Sequence, residues 1–198
     1  MRKGETIPTN CLFFACGNPE LEAEIKICKD KCYAYNQLNP NDRTAQRTLL
    51  VSLLGNMGND VTIMPPFWCD YGYNISIGSH FYSNHNLIIT DGAKVTFGDH
   101  VFIAPNCCIT TAEHAIDPMQ RMSGMEVAKP VTIGNNVWLG AGVTVLAGVS
   151  IGDNSIIGAG SVVTKSIPAN VIAVGVPCKV LRPITEEDKY RYPIYNME

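Results

Sequence analysis

A six-residue repeat is the feature of this sequence that most restricts its fold. Every sixth residue from position 133 is aliphatic, in the order Ile133, Leu139, Val145, Ile151, Ile157 and Val163. Three earlier residues share this phase: Phe97, Ile103 and Ile109. A further set is offset from that phase by two residues: Ile77, Ser83, Ile89 and Val95. A period of six fits neither the 3.6-residue period of an amphipathic helix nor the two-residue period of a strand.

The repeat is typical of a solenoid. Each hexad would form a short strand and a turn, three hexads would complete one coil, and the aliphatic residues would stack into a continuous core. Glycines and the pairs Asn135-Asn136 and Asp153-Asn154 supply turn conformations that bulky residues resist. A β-sandwich would instead need strands spaced about 8–12 residues apart. The sequence therefore predicts a mainly β protein, with a parallel β-helix over residues 61–183.

The residues before position 61 predict helices. Asn18 and Pro19 match a helix cap and first turn, and an apolar stripe follows at helical spacing: Leu21, Ile25, Cys28, Cys32 and Tyr35. After the turn at 39–41, a second stripe comprises Ala45, Leu49, Leu50, Leu53 and Leu54, closed by Gly55. We expect a pair of antiparallel helices within 1–60 and a short tail over 184–198.

The composition argues against several kinds of partner. A chain of 198 residues is one compact unit or one domain with a small appendage, and its net charge of -3 does not supply the basic surface that nucleic acid requires. The first residues, MRKGETIPTN, are too polar for a signal peptide, and no apolar run approaches the roughly 18 residues of a membrane span. The eight cysteines include no CxxC pair, which favours reduced thiols. We therefore predict a cytoplasmic protein that acts on small molecules.

Several segments together resemble one family. They are CDYGYNI (Cys69 to Ile75), IGDNSIIGAGSVVTK (Ile151 to Lys165), VGVPCKV (Val174 to Val180) and the N-terminal helical segment with NPEL and YNQLNP. The chain resembles the hexapeptide-repeat acyltransferases, and within them the maltose and galactoside O-acetyltransferase branch. The resemblance implies a left-handed parallel β-helix, a handedness that the spacing of the repeat does not indicate.

The repeat stops over residues 115–130, where the in-phase positions become Ala115, Arg121 and Val127. An insertion at a corner leaves a solenoid stack intact, and loops on a rigid scaffold often carry catalytic residues. His114 stands at the start of this loop, and an imidazole can accept a proton at neutral pH. From position alone, a hydrogen-bonded structural histidine is an equal alternative. The stretch TTAEHAIDP resembles the family's histidine-bearing loop, which implies that His114 is the general base.

The resemblance also implies a reaction, the direct transfer of acetyl from acetyl-CoA to a sugar hydroxyl. Asn84, in FYSNHNL, matches the family position that stabilises the oxyanion, although by itself it would be taken for a turn-forming asparagine. The other histidines, His80, His85 and His100, fall on turn or coil positions and are interpreted as surface residues.

The acceptor contacts implied by the resemblance are Asp70, Tyr82, Asn84, Asp91, Gly92, Met125 and Glu126. Carboxylates and amides suit a polyol because they can bind hydroxyls in pairs. The galactoside-type enzymes carry serine in place of Asp70 and aspartate in place of Gly92. The acceptor is therefore left open among maltose, glucose and a galactoside, with a chloramphenicol-type xenobiotic as the alternative.

Basic residues at the end of the repeat favour a phosphate-bearing donor. No Lys or Arg occurs between Lys129 and Lys165, and Lys179 and Arg182 then follow. Such a cluster suits the phosphates of coenzyme A, with solvated surface charge as the alternative. The resemblance extends the donor site to Ala141, Ala159, Thr164 and Lys165, with Trp138 either along the pantetheine arm or in a subunit contact.

Three rival interpretations have specific requirements. A gamma-class carbonic anhydrase would need three zinc-binding histidines, and the four histidines lack that arrangement, so we expect no metal requirement. A covalent mechanism at Cys107, Cys108 or Cys178 would need a neighbouring histidine, which the sequence does not place there. A non-catalytic binding scaffold would have no use for His114.

The predicted prism exposes broad faces, which favours lateral association. The resemblance implies a homotrimer with sites between subunits, where Asn84 and His114 meet across a shared cleft.

Overall fold

The computed structural model describes residues 10–15 and 17–195. Residues 1–9 of the polar N-terminal segment, Cys16 and residues 196–198 of the predicted tail lie outside the described residues, so the expectations for them stay predictions. The helices are α1 (Pro19–Asn36), α2 (Arg43–Leu53), α3 (Pro118–Met122) and a 3-10 helix, Glu186–Tyr190.

The strands are short and follow one another closely along the chain. In chain order they are β1 (Phe13–Phe14), β2 (Asn56–Met57), β3 (Thr62–Ile63), β4 (Phe67–Cys69), β5 (Ile75–Ile77), β6 (Tyr82–Ser83), β7 (Leu87–Thr90), β8 (Val95–Phe97), β9 (Phe102–Ile103), β10 (Cys108–Thr110), β11 (Ala112–His114), β12 (Met125–Ala128), β13 (Val131–Ile133), β14 (Trp138–Leu139), β15 (Thr144–Val145), β16 (Ser150–Ile151), β17 (Ile156–Ile157), β18 (Val162–Val163), β19 (Val171–Val174) and β20 (Lys179–Pro183).

Most of the strands form three sheets that are the faces of one prism. The first face has the order β16-β13-β8-β5-β2, the second β20-β19-β17-β14-β9-β6-β3, and the third β18-β15-β10-β7-β4. The chain visits the three faces in turn, and every pairing within them is parallel except that of β19 with β20. This confirms the predicted mainly β, parallel β-helical fold.

The core of the prism consists of the residues that the repeat singled out. All six in-phase residues from Ile133 to Val163 are buried. Ile133 pairs with Ile151, and Leu139 pairs with Ile157, so a coil contains three hexads as predicted. Because each coil stacks its aliphatic residues on those of the next, the apolar core is continuous.

The two-residue offset of the earlier set has a structural cause. Ile77 pairs with Phe97, 20 positions further on, whereas Ile133 pairs with Ile151 after 18. The additional residues lie where the chain passes from the third face to the first, after β4 and again after β7. Phe97 pairs with Ile133 because the long loop leaves at this same place, after β10. We call residues 70–74, 91–94, 111–130 and 164–166 the insertion corner.

The corner between the first and second faces is built from residues in the left-handed conformation. Their positive φ angles recur once per coil, at Asp60, His80, His100, Asn136, Asn154 and Asn170. The rings of His80 and His100 stack at a centroid distance of 4.6 Å, and Asn136 Nδ2 donates to Asn154 Oδ1 at 2.9 Å. His80, His85 and His100 are exposed at turns, as the sequence predicted.

The two helices pack on the first coil of the prism. Asn18 Oδ1 caps α1 by accepting from the backbone N–H of Glu20 at 3.0 Å, which confirms the predicted start of this helix. Four of the five residues in the predicted stripe of α1 are buried, and α1 packs against β4 while α2 packs against β2. None of the helices among the described residues is long and apolar enough to cross a bilayer.

Candidate active site

The predicted loop is an ordered antiparallel hairpin. β11 and β12 form its base, with His114 opposite Glu126, and β1 pairs with the other edge of β12. The helix α3 forms the tip, where Asp117 Oδ1 caps it by accepting from the backbone N–H of Gln120 at 2.9 Å. An ion pair between Lys129 Nζ and Glu113 Oε2 at 2.6 Å joins the two strands. The hairpin therefore holds His114 at a defined position beside the insertion corner.

His114 presents its ring to solvent, with a side chain that is 61% exposed. Its Nδ1 lies 3.7 Å from Oε1 of Glu126, whose side chain is 21% exposed. With Glu126 beside Nδ1, Nε2 is the ring nitrogen that is left to face a substrate. The sequence motifs place Glu126 only in the pocket lining, because its contact with His114 depends on the hairpin register.

Asp91 supports the insertion corner from inside. It is fully buried, and its Oδ1 accepts hydrogen bonds from the backbone N–H groups of Asp70 and Tyr71, both at 2.9 Å. Its Oδ2 has no hydrogen-bond partner among the described residues. Burial raises the pKa of Asp91 from 3.8 to about 6. We therefore expect Asp91 to affect acceptor binding by holding the backbone of Asp70 in place. A direct contact between Asp91 and the acceptor stays a prediction.

The burial of Asp91 predicts a pH-dependent stability. Because the pKa is raised in the folded state, the folded protein binds this proton more tightly, and stability falls as pH rises from about 4 to about 6. The expected loss from this group is roughly 3 kcal/mol of the free energy of unfolding. Urea unfolding of the wild type and of Asp91→Asn, which keeps one oxygen acceptor, would measure it. Equal slopes against pH would contradict the prediction.

Several predicted acceptor residues meet at the insertion corner. Burial, and then the carboxylates of Asp70 and Glu126, raise the pKa of Tyr71 to about 12. Burial likewise raises the pKa of Asp70. Tyr71 therefore lies among the carboxylates, a position that the CDYGYNI motif did not by itself reveal. A Cβ added at Gly92 would lie 3.7 Å from Thr111 Oγ1, an ordinary van der Waals contact, so the backbone leaves room for a β-carbon at this position.

A second set of predicted residues lies on another edge of the prism. The corner between the second and third faces, which we call the alanine corner, comprises residues 84–86, 104–106, 140–142 and 158–160. It carries Asn84, Ala141 and Ala159, and the exposed rings of Tyr82 and Trp138 lie beside it on the second face. Asn84 Oδ1 accepts from the backbone N–H of His85 at 2.8 Å, which holds its side chain at this corner.

The third face separates these two corners within one chain. His114, Thr164 and Lys165 lie on the side of the insertion corner, whereas Asn84 lies at the alanine corner. The predicted catalytic pair is therefore divided between opposite edges of the third face.

The predicted phosphate contacts differ in their surroundings. Lys165 and Lys179 are exposed, with Lys179 at the start of β20. Arg182, in contrast, forms a bidentate ion pair with Asp188 at 2.7 and 2.6 Å. Its guanidinium thereby fixes the 3-10 helix, so any contact with a phosphate would have to compete with Asp188.

The covalent cysteine alternative finds no support in the structure. Cys107 and Cys178 are buried and Cys108 is half-buried, and burial raises the pKa of all three thiols. Cys107 Sγ donates to the backbone carbonyls of Ala104 and Gly140, both at 3.2 Å. These thiols lack the exposure and lowered pKa of a nucleophile.

Comparison with known proteins identifies relatives over nearly the whole chain. Residues 130–165 match the family described as Bacterial transferase hexapeptide (six repeats), and residues 12–58 match the Maltose acetyltransferase hexapeptide capping motif. The chain is 53% identical over 184 residues to YJL218W of Saccharomyces cerevisiae (strain S288c), which covers 93% of this chain and 94% of that protein.

Two solved structures are similar throughout. A galactoside acetyltransferase in complex with coenzyme A superposes with a TM-score of 0.88 at 41% identity, covering 94% of each chain. A maltose O-acetyltransferase from Clostridium difficile 630 gives a TM-score of 0.86 at 42% identity, covering 88% of this chain and 93% of the other. These matches confirm the resemblance that the sequence motifs carried.

Proposed function

The chain belongs to the hexapeptide-repeat acetyltransferases of the galactoside and maltose type, and on this basis we propose that it transfers acetyl from acetyl-CoA to a sugar hydroxyl with His114 as the general base. The observation that carries the proposal is the exposed ring of His114 at the insertion corner, with Glu126 beside Nδ1. Transfer of this kind needs a base that reaches solvent and a carboxylate that stabilises the ring once it is protonated.

The residues have separate tasks in this mechanism. His114 takes the proton of the acceptor hydroxyl through Nε2 as the hydroxyl oxygen attacks the thioester carbonyl. The C–S bond then breaks, and His114 returns the proton to the leaving thiolate, so charge and atoms balance. The Asn84 amide donates a hydrogen bond to the carbonyl oxygen, where negative charge develops. Asp70 and Glu126 are the carboxylates that can accept hydrogen bonds from the sugar.

The proposed assembly is a homotrimer with its sites between subunits. Asn84 and His114 lie at opposite edges of the third face, which supports a site formed by the insertion corner of one chain and the alanine corner of its neighbour. Sedimentation or light scattering would measure the stoichiometry, and a monomer with full activity would contradict the arrangement. The cytoplasmic location stays a prediction.

The donor site proposal rests on basic and apolar groups that fit coenzyme A. Lys165 and Lys179 offer two exposed ammonium groups for phosphates, and Trp138 offers an exposed indole for the pantetheine arm. We expect Lys165→Ala and Lys179→Ala each to raise KM for acetyl-CoA about 3- to 10-fold with kcat nearly unchanged, because they remove ground-state binding. Lys94→Ala, an exposed lysine at the insertion corner, is the control. A fall in kcat alone would argue against phosphate binding.

Glu126 is proposed to position and stabilise the protonated His114. Because the pair is partly exposed, Glu126→Gln should lower kcat only about 2- to 5-fold, in line with the small energy of exposed ion pairs. Glu22→Gln removes an exposed carboxylate from α1, away from the hairpin, and its kcat should stay near that of the wild type. Equal effects of the two substitutions on kcat would contradict the proposed role of Glu126.

The acceptor is identified by a panel of alcohols. We expect release of coenzyme A thiol with maltose, glucose or a galactoside, measured with a thiol reagent. Turnover of chloramphenicol as the sole acceptor would move the enzyme to the xenobiotic-modifying branch and would overturn the sugar proposal. Absence of turnover with every acceptor would favour the non-catalytic alternative.

A further inference from the structure

Three thiols converge where the helical segment meets the first coil. Cys28 and Cys32 lie one turn apart on the same side of α1, and Cys69 ends β4. The Sγ atoms of Cys28 and Cys69 are 3.5 Å apart, those of Cys32 and Cys69 are 3.7 Å apart, and all three lie within 4.8 Å of one another. The three residues are 2%, 0% and 4% exposed, so the cluster is internal.

We propose that Cys28, Cys32 and Cys69 form a binding site for one soft d¹⁰ metal ion, Zn²⁺ or Cu⁺, held by three thiolates. A metal–sulfur distance of about 2.3 Å places three sulfur atoms around one ion roughly 4 Å apart. The observed sulfur separations are close to this value, so a shift of a few tenths of an ångström would admit the ion. The site is structural and independent of the acetyl-transfer chemistry.

The chemistry of the donor set selects the class of ion. Among the described residues, the group contains sulfur donors alone, without a carboxylate or imidazole. Thiolates bind Zn²⁺ and Cu⁺ in preference to Mg²⁺ or Ca²⁺, which require oxygen ligands. An odd number of thiols also fits a metal better than a disulfide, which would leave one buried sulfur unpaired. Buried Cys107, by contrast, is hydrogen-bonded to two backbone carbonyls and belongs to no such group in the part of the chain that the structure describes.

A cavity lies next to the cluster. It has a volume of about 320 Å³ and is lined by Cys28, Tyr71 and Tyr73 together with Glu24 and Lys31, so an ion in this cavity would stand beside one of the three cysteines. Each S–H bond that breaks releases a proton to solvent as the metal–sulfur bond forms, without oxidation or reduction.

A bound ion would join two parts of the fold. It would link α1 to the end of β4. Asp70 and Tyr71 follow directly, and their backbone N–H groups donate hydrogen bonds to Asp91. Because the ion binds the folded chain preferentially, it should raise Tm, and its removal by a chelator should lower Tm.

The test is metal titration of the full chain after treatment with a chelator, with Zn²⁺, Cu⁺ and the spectroscopic substitute Cd²⁺ as separate probes. We expect one equivalent to bind, with a sulfur-to-metal charge-transfer band for Cd²⁺ and release of protons. Cys28→Ser and Cys32→Ser should each weaken metal binding at least about 100-fold. Substitution of residues that only hydrogen-bond to metal ligands already lowers the affinity by about 10- to 100-fold, and the loss of a ligand itself should cost more. Cys107→Ser, which removes a buried thiol elsewhere, should bind like the wild type. Tight binding of either Zn²⁺ or Cu⁺ at these thiols supports the site.

Two outcomes would overturn the proposal. One is that the wild type shows neither stoichiometric binding nor the charge-transfer band. The other is that Cys28→Ser retains the affinity and the metal-dependent rise in Tm of the wild type. Cys28 borders the cavity, so its substitution is the mildest of the three, and circular dichroism establishes that this variant is folded. Titration of the wild type decides the question if every variant fails to fold.

Discussion

His114→Ala is expected to lower kcat for acetyl transfer by about 10²- to 10⁴-fold, the usual contribution of a general base. The side chain is 61% exposed, so the variant should keep the Tm of the wild type within a few degrees. Thiol release at saturating acetyl-CoA, with the sugar that the acceptor panel identifies, measures the effect.

The control for His114→Ala is His100→Asn. His100 is exposed at a corner with positive φ, and the equivalent positions of later coils carry Asn136, Asn154 and Asn170. Asparagine therefore fits the backbone there, and the control should keep both kcat and stability. Turnover by His114→Ala equal to that of the wild type would remove His114 from the mechanism.

Mixed trimers of His114→Ala and Asn84→Ala subunits are expected to regain activity that neither variant has alone. If each site takes His114 from one subunit and Asn84 from its neighbour, random mixing gives intact sites at about a quarter of the interfaces of a cyclic trimer. Co-expression with two different affinity tags, followed by sequential purification, would isolate the mixed species for a thiol-release assay.

The control for this complementation is a chain that carries both substitutions, mixed with wild-type subunits. Such a mixture still forms sites between wild-type neighbours, whereas trimers of the double variant alone should be inactive. If the mixed single variants stay as inactive as each one separately, Asn84 and His114 act within one chain, which would contradict the proposed shared site. Full activity of Asn84→Ala on its own would show that Asn84 has no part in the site.

The repeat predicted the fold because its spacing acts locally. A hexad contains its own strand and turn, so six successive residues already specify one side of a coil. The residues in phase with the repeat are buried in the core. The helices were predictable for the same reason, since Asn18, Pro19 and the apolar stripe of α1 are local signals. Domain boundaries stay a prediction, although the first strand of the prism, Asn56–Met57, begins slightly before position 61.

Contacts between distant segments were less predictable. The contact between Glu126 and His114 depends on the register of the hairpin. The hydrogen bond from the backbone N–H of Asp70 to Asp91 depends on how two coils stack. The ion pair of Arg182 with Asp188 was likewise not predictable, and it occupies a guanidinium that the sequence predicted to bind phosphate. The sequence did supply the candidates, because His114, Asp70 and Glu126 do lie on one side of the prism.

The amino-acid sequence alone determined the coil, its core and the point at which the chain departs from it, because a short period specifies repeated local structure. Only the tertiary structure decided that the longer corners lie above one another, that the candidate residues divide between two edges, and that Cys28, Cys32 and Cys69 meet. The physical reason is that stacking brings together residues that are 16 to 36 positions apart, and the length of the corner in each coil shifts this separation from the 18 positions that three hexads give.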